Sequence, residues 1–531
     1  MKKKTIRMIL ISSMLLALFL SGCGKNASSS GTSTVKSEES SEKEPITFTV
    51  FIGNATGADS WDNFMSPVAE KIKEETGVTL KYEYAVGDLQ EKLALMIANG
   101  DYPDFIDANT YTAMLVDAGA YIPLNDLIDS HGQNLKTFYG DNFERLRWSA
   151  DDPSIYTIGS LGLNEVKFSP EHGFQLQHAA VKEQGYPEVK TLAQYEAVIK
   201  NYVDAHPTIN GEPTIGLSLI SDDWRYRISV RNPAIFVNGL PNDGDFIIDQ
   251  STYEAKYFYA SEEARTYYKW LNKMNAEGYL DPESFTQKYD QYLAKIASGR
   301  VVALADCDWE FDDAQRTLRA NSMDEYTYGM YPVTMTEDQT YKMFYPTGFS
   351  SGTTGLGIST SCKDPERAME FINYMVTDGA QILNNWGIEG ENYTIEDGKR
   401  VIPDDEWNAR ITDPGYRKRT GVDLYLSVWP YYGVGVKDPT GQYYKPFDET
   451  TVLAGYSDAE KETLKAYNVS TWKELYPQES EFELSAYGEA WTLDVPVDSD
   501  LNMFMVRGEE MARSTIAQAV MGPQDQFDAT W

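Results

Sequence analysis

Pro45-Ile46-Thr47-Phe48-Thr49-Val50 alternates apolar and polar side chains with the two-residue period of a strand. Ser66-Pro67 follows as a helix cap and first-turn proline, with Val68, Ala69 and Ile72 on one face and Gly77 as the stop. Val78, Leu80, Tyr82 and Tyr84 alternate again with polar neighbours. Asp88 and Glu91 have capping-box spacing ahead of Leu93, Met96 and Ile97, and Gly100 ends that helix. Tyr102-Pro103-Asp104-Phe105-Ile106-Asp107 reads as a third strand. Strand, helix, strand, helix, strand predicts a parallel sheet with crossover helices, so the opening of the globular body is α/β.

Downstream the pattern is richer in helix. Thr191 is expected to cap a helix ended by Pro207, and Ser261 another that runs through Tyr267, Tyr268 and Leu271 to Gly278. Tyr289 to Ile296 leads through Gly299 into Val301-Val302-Ala303-Leu304-Ala305, a buried strand, and Ile215 to Ile220 reads as another. A strand over Leu356 to Ser359 precedes a helix opened by Asp364-Pro365, in which Ala368, Phe371, Ile372 and Met375 keep helical spacing. No repeat of about 20–50 residues points to a solenoid or propeller.

Upstream the texture is different. Lys2, Lys3, Lys4 and Arg7 precede an apolar run from Met8 to Leu20, shorter than the about 20 residues a spanning helix needs, and small residues follow. This is a secretory signal, 1–22. Leu20-Ser21-Gly22-Cys23 resembles the bacterial lipobox, in which cleavage precedes the cysteine and its thiol is acylated; an incidental Cys after a plain signal is the alternative. Cys23 is thus the expected lipidation site, holding the protein at the extracellular face of the cell membrane. Residues 23–44 contain almost nothing apolar and read as a Ser-rich flexible tether.

The remaining length, out of 531 residues, allows two or more domains. Acidic residues number 81 against 46 basic, a net charge of −35, which argues against nucleic acid and against direct adhesion to anionic lipid. With Cys23 acylated, Cys307 and Cys362 remain; two buried thiols are expected over a disulfide.

Several short motifs now share an order. They are Leu95-Met96-Ile97-Ala98-Asn99-Gly100-Asp101-Tyr102-Pro103-Asp104, then Ser298-Gly299-Arg300 with Asp308-Trp309. Gly357-Ile358-Ser359, Asp364-Pro365-Glu366-Arg367-Ala368 and Gly387-Ile388-Glu389-Gly390 follow. With the lipobox and leash they resemble the extracellular solute-binding lipoproteins of ABC importers, in the Gram-positive, oligosaccharide-binding branch (family 1). The resemblance implies a two-lobed periplasmic-binding-protein-like α/β fold, with discontinuous lobes joined by a hinge and ligand in the cleft between them. One lobe would take 45–155 with 352–410, the other 156–351 with 411–531. It also implies that Phe527-Asp528-Ala529-Thr530-Trp531 starts a terminal helix that such proteins usually complete.

Sugar recognition needs flat aromatic rings for C–H faces and planar polar groups for hydroxyls. Four loops at predicted strand ends combine them: Asn54, Asp59 and Trp61; Asp107, Asn109 and Tyr111; Trp224 and Arg225; and Asp308, Trp309 and Glu310. The resemblance places the first, second and fourth at the cleft, whereas the third rests on composition alone. A tryptophan in a large protein is more often packing than platform, and Trp148, Trp270, Trp407 and Trp472 are read so. Trp386 is explained by its helix end; Trp429 is an outside candidate.

Gly348-Phe349-Ser350-Ser351-Gly352 matches a nucleophile elbow literally, but His131, His172, His178 and His206 all precede it. No zinc spacing or phosphate loop appears, and Asn242-Asp243-Gly244-Asp245 is too short for a calcium loop. No catalytic residue, metal or cofactor is implied. The expected protein is a monomeric, non-enzymatic receptor that captures an oligosaccharide and hands it to the transmembrane subunits of an ABC permease. Its alternatives are a surface-anchored glycan-degrading enzyme, or a receptor for peptide or another solute.

Overall fold

The computed structural model describes residues 44–53, 63–149, 151–159, 166–346, 355–425, 428–485 and 499–531. The signal peptide, Cys23, the tether as far as residue 43, Asn54, Asp59, Trp61 and the Gly348–Gly352 motif lie outside them.

Two sheets carry the rest. In chain order their strands are β1 (Ile46–Ile52), β2 (Val78–Tyr84), β3 (Phe105–Asp107), β4 (Ile158–Gly159), β5 (His172–Gln177), β6 (Ile215–Ser218), β7 (Val301–Cys307), β8 (Tyr328–Tyr331) and β9 (Gly355–Ile358). The first sheet runs β2-β1-β3-β9-β4, the second β8-β5-β7-β6.

The opening unit forms as its pattern predicts. β1 pairs parallel with β2 and with β3, Val50 lying opposite Tyr82 and Phe105. Ser66 caps the Pro67–Thr76 helix at Ala69 N, and Asp88 caps the Leu89–Asn99 helix at Glu91 N; Gly77 and Gly100 close these helices in the left-handed conformation. The two helices cover opposite faces of the sheet. Val68, Ala69 and Ile72 pack with Phe48 and Val50, whereas Leu93 and Met96 pack with Phe51 and Ile106. β3 is shorter than the expected Tyr102–Asp107. At Asp104 side chains replace the backbone pairing to β1: its carboxylate accepts the N–H and the hydroxyl of Thr49, at 2.8 Å each, and its N–H donates to Thr49 Oγ1 at 3.0 Å. β9, arriving from the second sheet, pairs antiparallel to β3 and β4, so the sheet is mixed.

The second sheet is also covered on both faces. Phe174, Leu176, Leu217 and Ala303 pack with the Leu192–Ala205 and Glu262–Ala276 helices. Val301, Leu304 and Tyr328 pack with Tyr292, Ile296, Phe311 and Leu318 of the Tyr289–Ala297 and Asp308–Ala320 helices.

Lobe membership differs from expectation at Ile158 of β4, which lies in the first sheet and first core although 156 onward was expected in the other lobe, and again farther along the chain. Tyr416, Val422, Tyr425, Val428 and Trp429 belong to the first core, though the expected boundary gave 411 onward to the other lobe. Trp429 explains the second difference: fully buried, it packs edge-on against Phe105 at 5.3 Å and Phe371 at 5.0 Å. It is core, not a ligand candidate. From Leu464 through Trp472 and Tyr476 to Ile516 and Val520 the chain joins the second core. Cys307 and Cys362 are both buried and free.

Candidate functional site

β6 and β7 are parallel neighbours, so the segments leaving their C-terminal ends emerge side by side. Trp224 comes from the first segment. Trp309 is the second residue of the Asp308–Ala320 helix, which starts directly at the end of β7. Their rings stack with centroids 6.0 Å apart and 22° between planes. Trp309 remains 47% exposed, a large apolar surface left in water at the strand ends.

Beneath the stack lies a closed polar layer. Arg225 is 1% exposed, with its guanidinium 3.7 Å from the Tyr289 ring centre and 4.9 Å from that of Trp224. It pairs with Asp223 at 2.6 Å and with Glu310 at 2.9 Å, and the Tyr289 hydroxyl donates to the Glu310 carbonyl at 2.7 Å. Asp306, also fully buried, accepts from the Tyr292 hydroxyl at 2.7 Å and from Cys307 N–H at 2.8 Å. Burial pushes the Asp306 carboxyl up to about 7. Burial and the nearby Asp306 push Glu310 up to about 8, against the pull of Arg225.

Arg225 and Glu310, expected to meet sugar hydroxyls, are thus enclosed. One step along an α-helix turns a side chain by about 100°, so exposing Trp309 sends Glu310 inward. Asp308 stays partly accessible; it accepts from Trp309 N–H at 2.7 Å. Burial, Glu171 and Asp312 push its carboxyl well above the usual range.

Trp309 and Asp308 border a pocket of about 430 Å³, within the ~300–1,000 Å³ usual for small-ligand sites. Asp312, Arg316 and Arg319 continue that wall along the same helix. The lining also includes Trp407, Arg410, Tyr416, Arg417 and Asp423 from the first lobe, together with Lys167–Glu171 and Lys445. Arg316 pairs with Asp312 at 2.6 Å, Arg417 with Asp423 at 3.2 Å and Arg319 with Glu460 at 3.1 Å. Burial opposes ionisation of Asp312 and Asp423, but Arg316 and Arg417 beside the first, and Lys445 and Arg417 beside the second, outweigh it and hold both below the usual carboxylate range.

The loop after β3 behaves differently. Asp107 is buried at the strand end, accepting from Asn109 N–H at 2.8 Å, and burial raises its carboxyl to about 6. Asn109 takes a left-handed φ of 52°, which Asn tolerates. Tyr111 is half-buried, and its phenol is raised first by burial and then by Asp88 and Glu509, with Arg227 opposing. Arg227 and Glu509 are second-lobe residues paired at 2.7 Å, so this first-lobe loop looks toward the second lobe three residues beyond Trp224. Asp107, Asn109 and Tyr111 are not on the walls of the pocket beside Trp309.

Sequence reasoning missed Trp407, Arg410, Arg417 and Asp423. Trp407 was expected to be packing; it stands on the pocket wall instead. The available signal was the base-rich Arg417-Lys418-Arg419 in a strongly acidic chain. Trp472 is buried against His178 at 5.9 Å, as expected of packing, and also reaches the pocket wall. Trp386 lies under the Arg400 guanidinium at 4.8 Å.

Residues 68–386 match the model of the bacterial extracellular solute-binding protein family. The chain belongs to that family. A curated relative, the fructooligosaccharide ABC transporter substrate-binding protein FusA of Streptococcus pneumoniae serotype 4, is 23% identical over 343 residues. The match covers 61% of this chain and spans about three fifths of the relative, 60%. Among solved structures, the HMO-binding, ABC-transporter-associated solute-binding protein of Bifidobacterium longum infantis superposes with a TM-score of 0.60 at 15% identity, over 92% of this chain and 94% of that one. FusA of S. pneumoniae in complex with kestose gives 0.55 at 16%, over 92% and 100%. These neighbours establish the two-lobed fold.

Proposed function

We propose that this solute-binding protein is the receptor component of an ABC importer, holding an oligosaccharide between its lobes and passing it unaltered to the permease. The observation that carries the reading is the exposed Trp309 ring, backed by Trp224 at two neighbouring strand ends and bordering an inter-lobe pocket. Pyranose C–H faces pack on such rings, and the ion-paired side chains around them offer fixed donors and acceptors to hydroxyls. The sugars bound by the relatives, fructooligosaccharide and kestose, support the same ligand class.

In this reading Trp309 and Trp224 form the platform and Asp308 meets a hydroxyl. Asp107, Asn109 and Tyr111 contribute from the first lobe, together with Asn54, Asp59 and Trp61. Arg225 and Glu310 hold the platform from beneath. Ligand touching both lobes favours the closed arrangement, giving the permease a surface that differs between loaded and empty receptor. The monomer works at the outer face of the membrane, tethered through the lipid on Cys23.

A glycan-degrading enzyme is the second reading, because Asp308, raised, and Asp312, lowered, border the same pocket as an acid–base pair would. Titrating a glycan and peptide panel by tryptophan fluorescence, with chromatography of the ligand afterwards, separates the readings. The receptor binds a glycan and returns it intact. Released sugar would overturn this in favour of the enzyme, and binding confined to peptides would overturn the ligand class.

A further inference from the structure

Two residues past Arg225 the same segment presents a second guanidinium in the opposite way. The Arg225 side chain is 1% exposed, whereas that of Arg227 keeps 34% of its surface. The backbone here is unusual on both sides of Trp224. Asp223 takes a left-handed φ of 43°, and Arg227–Arg231 wind as a π-helix, a rare form that recurs at functional sites. Arg227 N–H donates to the Trp224 carbonyl at 3.0 Å, so Arg227 follows one turn after the backing ring of the platform.

Glu509, from the Asp500–Met521 helix, meets Arg227 fork to fork, with Nε to Oε1 at 3.1 Å and Nη2 to Oε2 at 2.7 Å. Those bonds leave Arg227 Nη1 without a partner among the described residues, and Nη1 is not enclosed. Glu509 is 21% exposed and has lone pairs to spare. A donor and an acceptor are thus fixed side by side, each neutralising the other's charge and held in place before any ligand arrives. Vicinal sugar hydroxyls answer such a pair: one accepts from the guanidinium while its neighbour donates to the carboxylate.

Tyr111 of the first lobe faces this pair. It is partly buried, and among the described residues its hydroxyl has no hydrogen-bond partner. The charges acting most on its phenol are Asp88 of its own lobe and Glu509, Arg227 and Glu510 of the second. Tyr111, Trp224, Arg227 and Glu509 all lie off the walls of the pocket beside Trp309, so a single ring seated on Trp309 does not fill both places.

We infer that Arg227 and Glu509 form a second sugar subsite, which takes a vicinal pair of hydroxyls from a unit farther along the glycan than the ring on Trp309, with Tyr111 closing on that unit from the first lobe. This rests on the receptor function proposed above and sets the length of its ligand: a chain, whose outer unit bridges the lobes.

The test is calorimetry with gluco-, manno-, fructo- and xylo-oligosaccharides, each series running from disaccharide to hexasaccharide. In a series that binds, affinity should rise about ten-fold or more with length before levelling, as expected for a unit that gains hydrogen bonds to charged partners. Arg227→Gln should erase most of that gain, with the melting temperature reporting the fold. Tyr111→Ala should shrink the gain several-fold while leaving the Arg227–Glu509 pair in place, so a weakened second lobe cannot account for both results. Affinity that is flat beyond the disaccharide, or a length gain that survives either variant, overturns the second subsite and leaves the receptor standing. Failure of every series at every length overturns both.

Discussion

Trp224 and Arg225 are chain neighbours, and so are Trp309 and Glu310, yet each pair divides between two layers. The indoles lie together at the strand ends, one of them half in water. The arginine and glutamate lie behind them, closed off and ion-paired. The outer layer can reach a ligand; the inner one has the task of keeping the outer in place. An Arg sandwiched between Tyr289 and Trp224 and tied to both loops makes the platform rigid before any ligand arrives, which lowers the ordering cost of binding.

Breaking the inner layer should have the largest effect. Arg225→Ala removes the guanidinium packed between Tyr289 and Trp224 and the partner of Glu310, and above about pH 8, where both carboxyls are ionised, it is expected to lower stability by about 3–5 kcal/mol, measured by denaturant unfolding. A change below about 1 kcal/mol would mean that the layer does not hold the second lobe together.

pH probes the same layer with less force. Asp306, at about 7, and Glu310, at about 8, sit above their ordinary values, so the folded protein keeps protons that the unfolded chain has already released. Their contribution is favourable at low pH and is lost as pH rises through about 7 and 8. Stability should fall by on the order of 1–2 kcal/mol between about pH 7 and pH 8.5, and Glu310→Gln should flatten the slope. Starting near pH 7 keeps His172 and His178 out of the measurement. Both are lowered by burial to about 4, so their effect is confined to pH below about 6.5, where it has the opposite sign.

On the outer layer, Trp224→Ala removes the backing ring and should weaken glycan binding by about 1 kcal/mol, roughly five-fold by calorimetry, with stability little changed. Smallest is Tyr289→Phe, which loses only the hydrogen bond to the Glu310 carbonyl. About 0.5–1 kcal/mol of stability is expected to go, with affinity intact; an affinity loss larger than that of Trp224→Ala would reverse the roles given to the two layers.

Much of this architecture was legible from periodicity. The parallel strands at Ile46 and Val78, the helix caps at Ser66, Thr191 and Ser261, and the buried run at Val301 all formed where two- and 3.6-residue patterns placed them. Strand-end position with an adjacent Asp was enough to single out Trp309. Composition alone singled out Trp224, and stacking between them needed the adjacency of β6 and β7, which no local pattern encodes. Arg225 and Glu310 were misread because polarity says nothing about which side of a helix start faces in. Trp407, Arg410 and Arg417 were missed because their segment returns to the first lobe after the chain has visited the second. The anchor for that return, Trp429 against Phe105, joins residues more than 300 positions apart.

In this picture the indole platform grips sugar without contributing to the fold. Comparing wild type with Trp309→Ala, in calorimetric affinity for the best-bound glycan and in melting temperature, tests it most directly. At least a ten-fold loss of affinity is expected, with the melting temperature unchanged within about 2 °C. Unaltered affinity, or a loss matched by general destabilisation, would contradict it.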